Sequence, residues 1–295
     1  MNIELFLNNY LHPDLEYLSP KFSLEPIQVI DTSVSKSEII DLSHLGLNVF
    51  YWQSARKALR CIQDLKNTES KPTVRISTTT QSDYLSSCLD QTFPEGIQRS
   101  KSNQESWDIF AADFGYENLH LSQESDVYDD AWSFSIDVAC DFLSKKEKYY
   151  VTSLPKVFGS SFGAMVLTKN DSFFHDTDLS KESLEKLQHI GGTLILQTEQ
   201  IGEVRIKNLD FISFALGNDF QKTLENCRTS FPGAGIFTYR REFDEVKFKV
   251  TLQGHGIRGT SFFGNNAVIL PIHQLLSEND LRYIAEITKH CIEFC

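Results

Sequence analysis

The middle of the chain sets the strongest constraint on its fold. Between Ile109 and Thr168, short strand-like segments of four to six residues recur between turns and helical stretches: Ile109 to Ala112, Asp126 to Asp129, Tyr149 to Ser153 and Gly163 to Thr168. Segments this short and this regularly interrupted match strands whose two faces are both covered, as in a sheet flanked by helices. A largely parallel or mixed sheet in an α/β domain is therefore expected. Gly115 and the sequence Lys169-Asn170-Asp171 supply turns between the segments.

The flanks extend this pattern. Leu47 to Trp52 reads as a strand or a tight entry, and a helix follows from Ser54, with Ala55, Ala58, Leu59, Ile62 and Leu65 recurring at steps of three and four. Pro72 stops that helix and Thr73 to Ser77 reads as a strand. From Leu179 to about Cys227 the pattern is helical, with Leu184, Leu187, Ile190 and Leu194 as one stripe; Gly191, Gly192 and Gly202 are expected to interrupt it. Further on, Val246, Phe248, Val250 and Leu252 alternate as a strand and Ala267 to Leu270 forms another. Ser277 and Asp280 then cap a closing helix whose stripe is Leu281, Ile284, Ile287, Cys291 and Ile292. The expected organisation is an irregular N-terminal arm at 1–43, a large α/β domain at 44–228 and a small C-terminal α+β domain at 229–295.

Composition removes several functions. With a net charge of −12, the chain lacks the excess of Lys and Arg that nucleic acid or an anionic membrane surface demands. No apolar run approaches the roughly 18 residues of a membrane helix. Met1 to Asp14 carries Glu4 and Asn8 among its apolar positions and no basic lead, so a cytoplasmic protein without a signal peptide is expected. The six cysteines, Cys61, Cys88, Cys140, Cys227, Cys291 and Cys295, form no CxxC pair. Cys291, Cys295 and His290 are too few for a metal site, and reduced thiols are the simpler reading. No P-loop or dinucleotide fingerprint occurs.

Four stretches in order carry more. They are Ser54-Ala55-Arg56-Lys57-Ala58-Leu59, then Val127-Tyr128-Asp129-Asp130-Ala131, then Ser153-Leu154-Pro155-Lys156 with Gly159, Gly163 and a strand ending in Asn170-Asp171, and finally Leu270-Pro271-Ile272-His273 leading into the capped helix. The ordered set resembles the DegT/DnrJ/EryC1/StrS family of pyridoxal-phosphate sugar aminotransferases, as a divergent, shortened member. The resemblance implies the aspartate-aminotransferase fold (fold type I), with a mixed, mostly parallel sheet in the large domain. It also implies a homodimer that moves an amino group, usually from glutamate, to a keto-sugar carried on a nucleotide. The pathways implied are surface-polysaccharide or secondary-metabolite biosynthesis.

By the same resemblance, Lys156 is the catalytic residue that would hold pyridoxal phosphate and then carry the proton. Asp129 would hold the ring nitrogen at a strand end. Ser54, Ala55 and Arg56, at the start of a helix, would hold the phosphate, with Ser153 as a phosphate or lysine neighbour. Each residue also has a plainer reading: surface lysine, turn acid, N-cap, strand-end hydroxyl. Asp130 competes with Asp129. His255, between Gly254 and Gly256, is a candidate substrate contact in the small domain.

The sequence also departs from the family. Ala55 stands where the family has glycine, and Ser77-Thr78-Thr79-Thr80-Gln81 offers no aromatic ring to stack on the cofactor, though Tyr84 lies nearby. Trp132 stands where the family has His or Gln, able to stack or to block. These departures keep open a second possibility, a non-catalytic binding or scaffolding subunit that has lost its cofactor.

Overall fold

A computed structural model describes Phe22 and residues 42–68, 73–79, 93, 97–98, 106–117, 124–144, 147–223, 229, 231–262 and 266–295. Most of the N-terminal arm lies outside the described residues, as do Pro72, Thr80, Gln81, Tyr84, Cys88, His120 and Cys227. The chain divides into two compact units, one of 28–200 with 227–231, the other of 1–27, 201–226 and 232–295.

The first unit is built on a seven-stranded sheet. Its strands are β1 (Asn48–Trp52), β2 (Thr73–Thr78), β3 (Ile97–Gln98), β4 (Ser106–Ala111), β5 (Val127–Asp129), β6 (Tyr149–Ser153) and β7 (Ala164–Thr168), in spatial order β1-β7-β6-β5-β4-β2-β3. Strands β6, β5, β4, β2 and β3 are parallel neighbours, and β7 runs antiparallel to both β1 and β6. Every residue of β5, β6 and β7 is buried, which is why those segments read as continuous apolar runs. Helix α1 (Ala55–Thr68) lies across β1, β7 and β6 and presents Ala58, Leu59 and Ile62 to Trp107, Val127, Val151 and Val166. Phe110, Tyr128 and Tyr150 form an aromatic column that also meets Phe142, on the short helix α2 (Ile136–Phe142).

Two short connections fix the end of this sheet that carries the candidate residues. After β6 the chain enters the five-residue helix α3 (Leu154–Phe158), with Pro155 in its first turn and Gly159 at its end in the left-handed conformation, φ 83°. Gly163, at φ 113°, then donates its N–H to the Gln53 carbonyl at 3.0 Å and accepts from the Leu154 N–H at 3.1 Å. This residue ties the entry of α1 to the entry of α3.

Helix α4 (Lys181–Leu216) starts in the first unit and ends in the second. It runs through Gly191, Gly192 and Gly202 without the expected interruption. At Gly191 the reason is packing: a Cβ there would lie 2.7 Å from the Tyr51 hydroxyl oxygen, so the glycine admits a ring where a break was expected.

The second unit has a four-stranded antiparallel sheet, β8 (Phe220–Lys222), β9 (Gly235–Tyr239), β10 (Thr260–Phe262) and β11 (Ala267–Leu270), in the order β10-β11-β9-β8. The segment expected as a strand at Val246 to Leu252 is instead helix α5 (Glu245–Gly254). Its alternation also fits a helix: Phe248 and Leu252, four apart, are fully buried, while Val246 and Val250, four apart, are each 64% exposed. The Asp244 side chain accepts from the Lys247 N–H at 2.9 Å and starts the helix. The closing helix α6 (Glu278–Glu293) carries the full capping box of Ser277 and Asp280.

Gly163→Ala tests the connection between α1 and α3. The new Cβ meets Leu187 and the φ is one that alanine adopts only with strain, so a loss of about 2–3 kcal/mol is expected in urea denaturation. A substitution costing nothing would show that this backbone is not held as described.

Candidate functional site

Asp129 ends β5 and Asp130 follows it, so their side chains leave the strand in opposite directions. Both are buried. The Asp130 carboxylate accepts from the Ser133 hydroxyl at 2.5 Å and from the Tyr150 hydroxyl, and the Asp130 N–H donates to the Val151 carbonyl at 2.8 Å. It pins the end of β5 to β6. Burial pushes its acid up to about 7, the two hydroxyl donors pull it down, and Glu117 and Asp129 add to the rise.

Asp129 is placed differently. One of its oxygens accepts from the Ala131 N–H at 3.2 Å. Burial raises its acid to about 6, while the positive charge of Lys156 and the Ala131 N–H draw it down. The structure thus brings Asp129 and Lys156 into electrostatic contact and engages Asp130 elsewhere. Lys156 lies in α3, half-buried, because Pro155 and the left-handed Gly159 limit that helix to a single turn or so. Its Nζ sits 4.3 Å from the centre of the Trp132 ring. Trp132 in turn packs on Phe114, with ring centres 4.9 Å apart. Phe114 follows β4 at φ 52°. Sequence reasoning missed it, and its one signal was the neighbouring turn residue Gly115.

The Ser54 to Arg56 segment opens α1. Ser54 acts as an N-cap: its hydroxyl accepts from the Lys57 N–H at 3.3 Å and its carbonyl from the Ala58 N–H at 3.2 Å. Asp176 sits at the same helix end, accepting from the Gln53 N–H at 3.2 Å and lying 3.6 Å from the Lys57 ammonium. Ala55 is half-buried and Arg56 exposed. Ser153, buried at the end of β6, precedes α3 without capping it through its side chain. The register sets Trp52 and Ser153 on either side of Ala164, so the α1 entry and the Lys156 turn leave the sheet at the same end.

His255 belongs to the second unit, at the end of α5, with its ring 6.1 Å from that of His290. Burial and His290 both lower its pKa. Among the described residues, no three His, Cys, Asp or Glu side chains gather as metal ligands, and no helix is long and apolar enough to cross a membrane.

No protein-family model and no curated protein matches this sequence. Solved structures do match. The chain is similar to Helicobacter pylori PseC, an aminotransferase involved in the biosynthesis of pseudoaminic acid, with a TM-score of 0.56 and 11% identity over 84% of this chain and 87% of that one. It is similar to DesI, solved in the presence of its TDP-sugar product, with a TM-score of 0.58 and 11% identity over 83% and 80%. A NifS-like protein from Rickettsia africae gives a TM-score of 0.58 and 12% identity over 86% and 84%. The fold is that of the fold-type-I pyridoxal-phosphate aminotransferases. At these identities the likeness is one of fold. That the solved relatives include sugar aminotransferases accords with the resemblance in the four sequence stretches.

The raised acid of Asp129 yields a pH test. A carboxyl whose folded pKa lies above its unfolded value favours folding while protonated, so its contribution is full below about pH 4 and lost as the pH rises through about 6. Relative to Asp129→Asn, the wild-type protein should lose on the order of 2–3 kcal/mol between pH 4 and pH 8. Urea denaturation of both proteins across that range reads the difference; a pH-independent gap would contradict the placement of Asp129.

Proposed function

We propose that the protein is a pyridoxal-phosphate-dependent aminotransferase of the cytoplasm, acting on a keto-sugar carried on a nucleotide, with glutamate or a similar amino donor. The observation that carries this reading is that Asp129, at the end of β5, and Lys156, just after the end of the neighbouring parallel strand β6, act electrostatically on one another. A buried carboxylate whose countercharge is a lysine ammonium fits the ring end of the cofactor, because a protonated ring nitrogen would relieve the cost of burying Asp129. When bound, pyridoxal phosphate supplies an aldehyde carbon to carry the amino group and an electron-poor ring to accept an electron pair.

The roles of the chain's own residues follow. Lys156 would hold the cofactor through its Nζ and, once displaced by the amino donor, would carry the proton. Asp129 keeps the ring nitrogen protonated. The first-turn N–H groups of Ala55 and Arg56, with the hydroxyls of Ser54 and Ser153, would receive the phosphate; the Ser54 oxygen accepts from the Lys57 N–H and keeps its own proton to donate. The choice of a sugar substrate, nucleotide-linked, draws on the relatives PseC and DesI. A homodimer is part of the same proposal.

Ala55 and Trp132 favour a second reading, a binding or scaffolding subunit without cofactor chemistry. Ala55 puts a Cβ where the resembled family has glycine, and the Trp132 ring lies over the Lys156 amine. Absorbance between about 320 and 450 nm after incubation with pyridoxal phosphate, before and after borohydride, separates the two. The aminotransferase reading expects a band that bleaches, with label on the Lys156 peptide and none in Lys156→Ala. A folded protein with no band would leave the scaffolding reading.

A further inference from the structure

The contact between Trp132 and Lys156 has no counterpart in the roles assigned so far. A lysine ammonium 4.3 Å from an indole centre is held by the negative face of the ring. The ring is itself held. Phe114 packs against it, almost fully buried at 2% exposure, and its backbone sits at φ 52°, a conformation in which a bulky side chain is an outlier. The turn that imposes this φ is anchored on both sides. Tyr116 donates its N–H to the Asp113 carbonyl at 3.0 Å, and the Gly115 carbonyl accepts from the Thr229 hydroxyl at 2.8 Å. The stack therefore runs from a strained, braced turn at the end of β4, through Trp132 after β5, to Lys156 after β6.

We infer that Trp132 is a positioning residue for Lys156, seated by Phe114, whose ring face holds the lysine amine in place. The inference rests on the reading of Lys156 as the cofactor-anchoring lysine. Its consequence is that the ring face shields the amine, so its attack on an electrophile is restrained until the stack opens. Trp132 acts through Lys156 and needs no contact with substrate. The Asp129 carboxylate attracts the same charge.

The test uses the full-length protein without added cofactor. Acetylation of Lys156 by an N-hydroxysuccinimide ester is followed by peptide mass spectrometry, with exposed Lys181 as the internal reference. Trp132→Leu should label Lys156 about five-fold faster than wild type, because release of a cation from an aromatic face is worth roughly that factor. Trp132→Phe, which keeps a ring face, should stay within about two-fold, and Lys181 should not change. Wild-type labelling in Trp132→Leu, or equal acceleration in both variants, would overturn the inference. If circular dichroism shows the leucine variant unfolded, tryptophan emission of Lys156→Met replaces it. A changed emission supports the stack and an unchanged one sinks it. Labelling involves no pyridoxal phosphate, so a protein that labels as expected but gives no reducible band would refute the aminotransferase reading alone.

Discussion

The candidate site depends on one backbone crossing. Strand β7 runs against both of its neighbours, and Gly163, just before it, hydrogen-bonds to Gln53 on one side and to Leu154 on the other. Those two bonds place the first turn of α1 and the turn that carries Lys156 at one end of the sheet. The φ of 113° at Gly163 and the proximity of Leu187 leave little room for a side chain. Asp129 arrives at the same end by a different route, as the last residue of a strand whose partner in the ladder is Val151. Open parallel sheets gather chemistry at the carboxyl ends of their strands because the loops there are free to vary while the ladder fixes their origins.

Much of this was readable in the sequence because the buried strands leave an unambiguous trace. Tyr149 to Ser153 and Ala267 to Leu270 have the bounds expected of them, and Ser277 with Asp280 starts the last helix as expected. Lys156 and Asp129 were singled out by the resemblance of the stretches that carry them, and each lies at or just beyond a strand end. The errors have a common cause, a local signal with two solutions. Alternation at Val246 to Leu252 satisfies both a period of two and an i, i+4 pairing, and the Asp244 cap decides for the helix. Glycines at 191, 192 and 202 lower helix propensity, yet at Gly191 the ring of Tyr51 occupies the space a side chain would take. Phe114 was missed for a different reason. A left-handed conformation at a bulky residue is imposed by the tertiary bracing of its turn, and no residue type advertises it.

The contrast between Asp129 and Asp130 shows how a site can be cut from a structural element by one step along the chain. Two identical acids, adjacent and both buried, are each raised chiefly by desolvation. Asp130 is compensated by fixed hydroxyl donors from Ser133 and Tyr150, partners that remain whatever the site contains. Asp129 is compensated by one backbone N–H and by the charge of Lys156, on a side chain with rotatable bonds. A carboxylate whose countercharge can move is available to a positively charged ligand as soon as the lysine is drawn elsewhere; a carboxylate bonded to its own framework is not. The strand end thus separates an acid that holds β5 to β6 from one compensated by a backbone N–H and a movable charge.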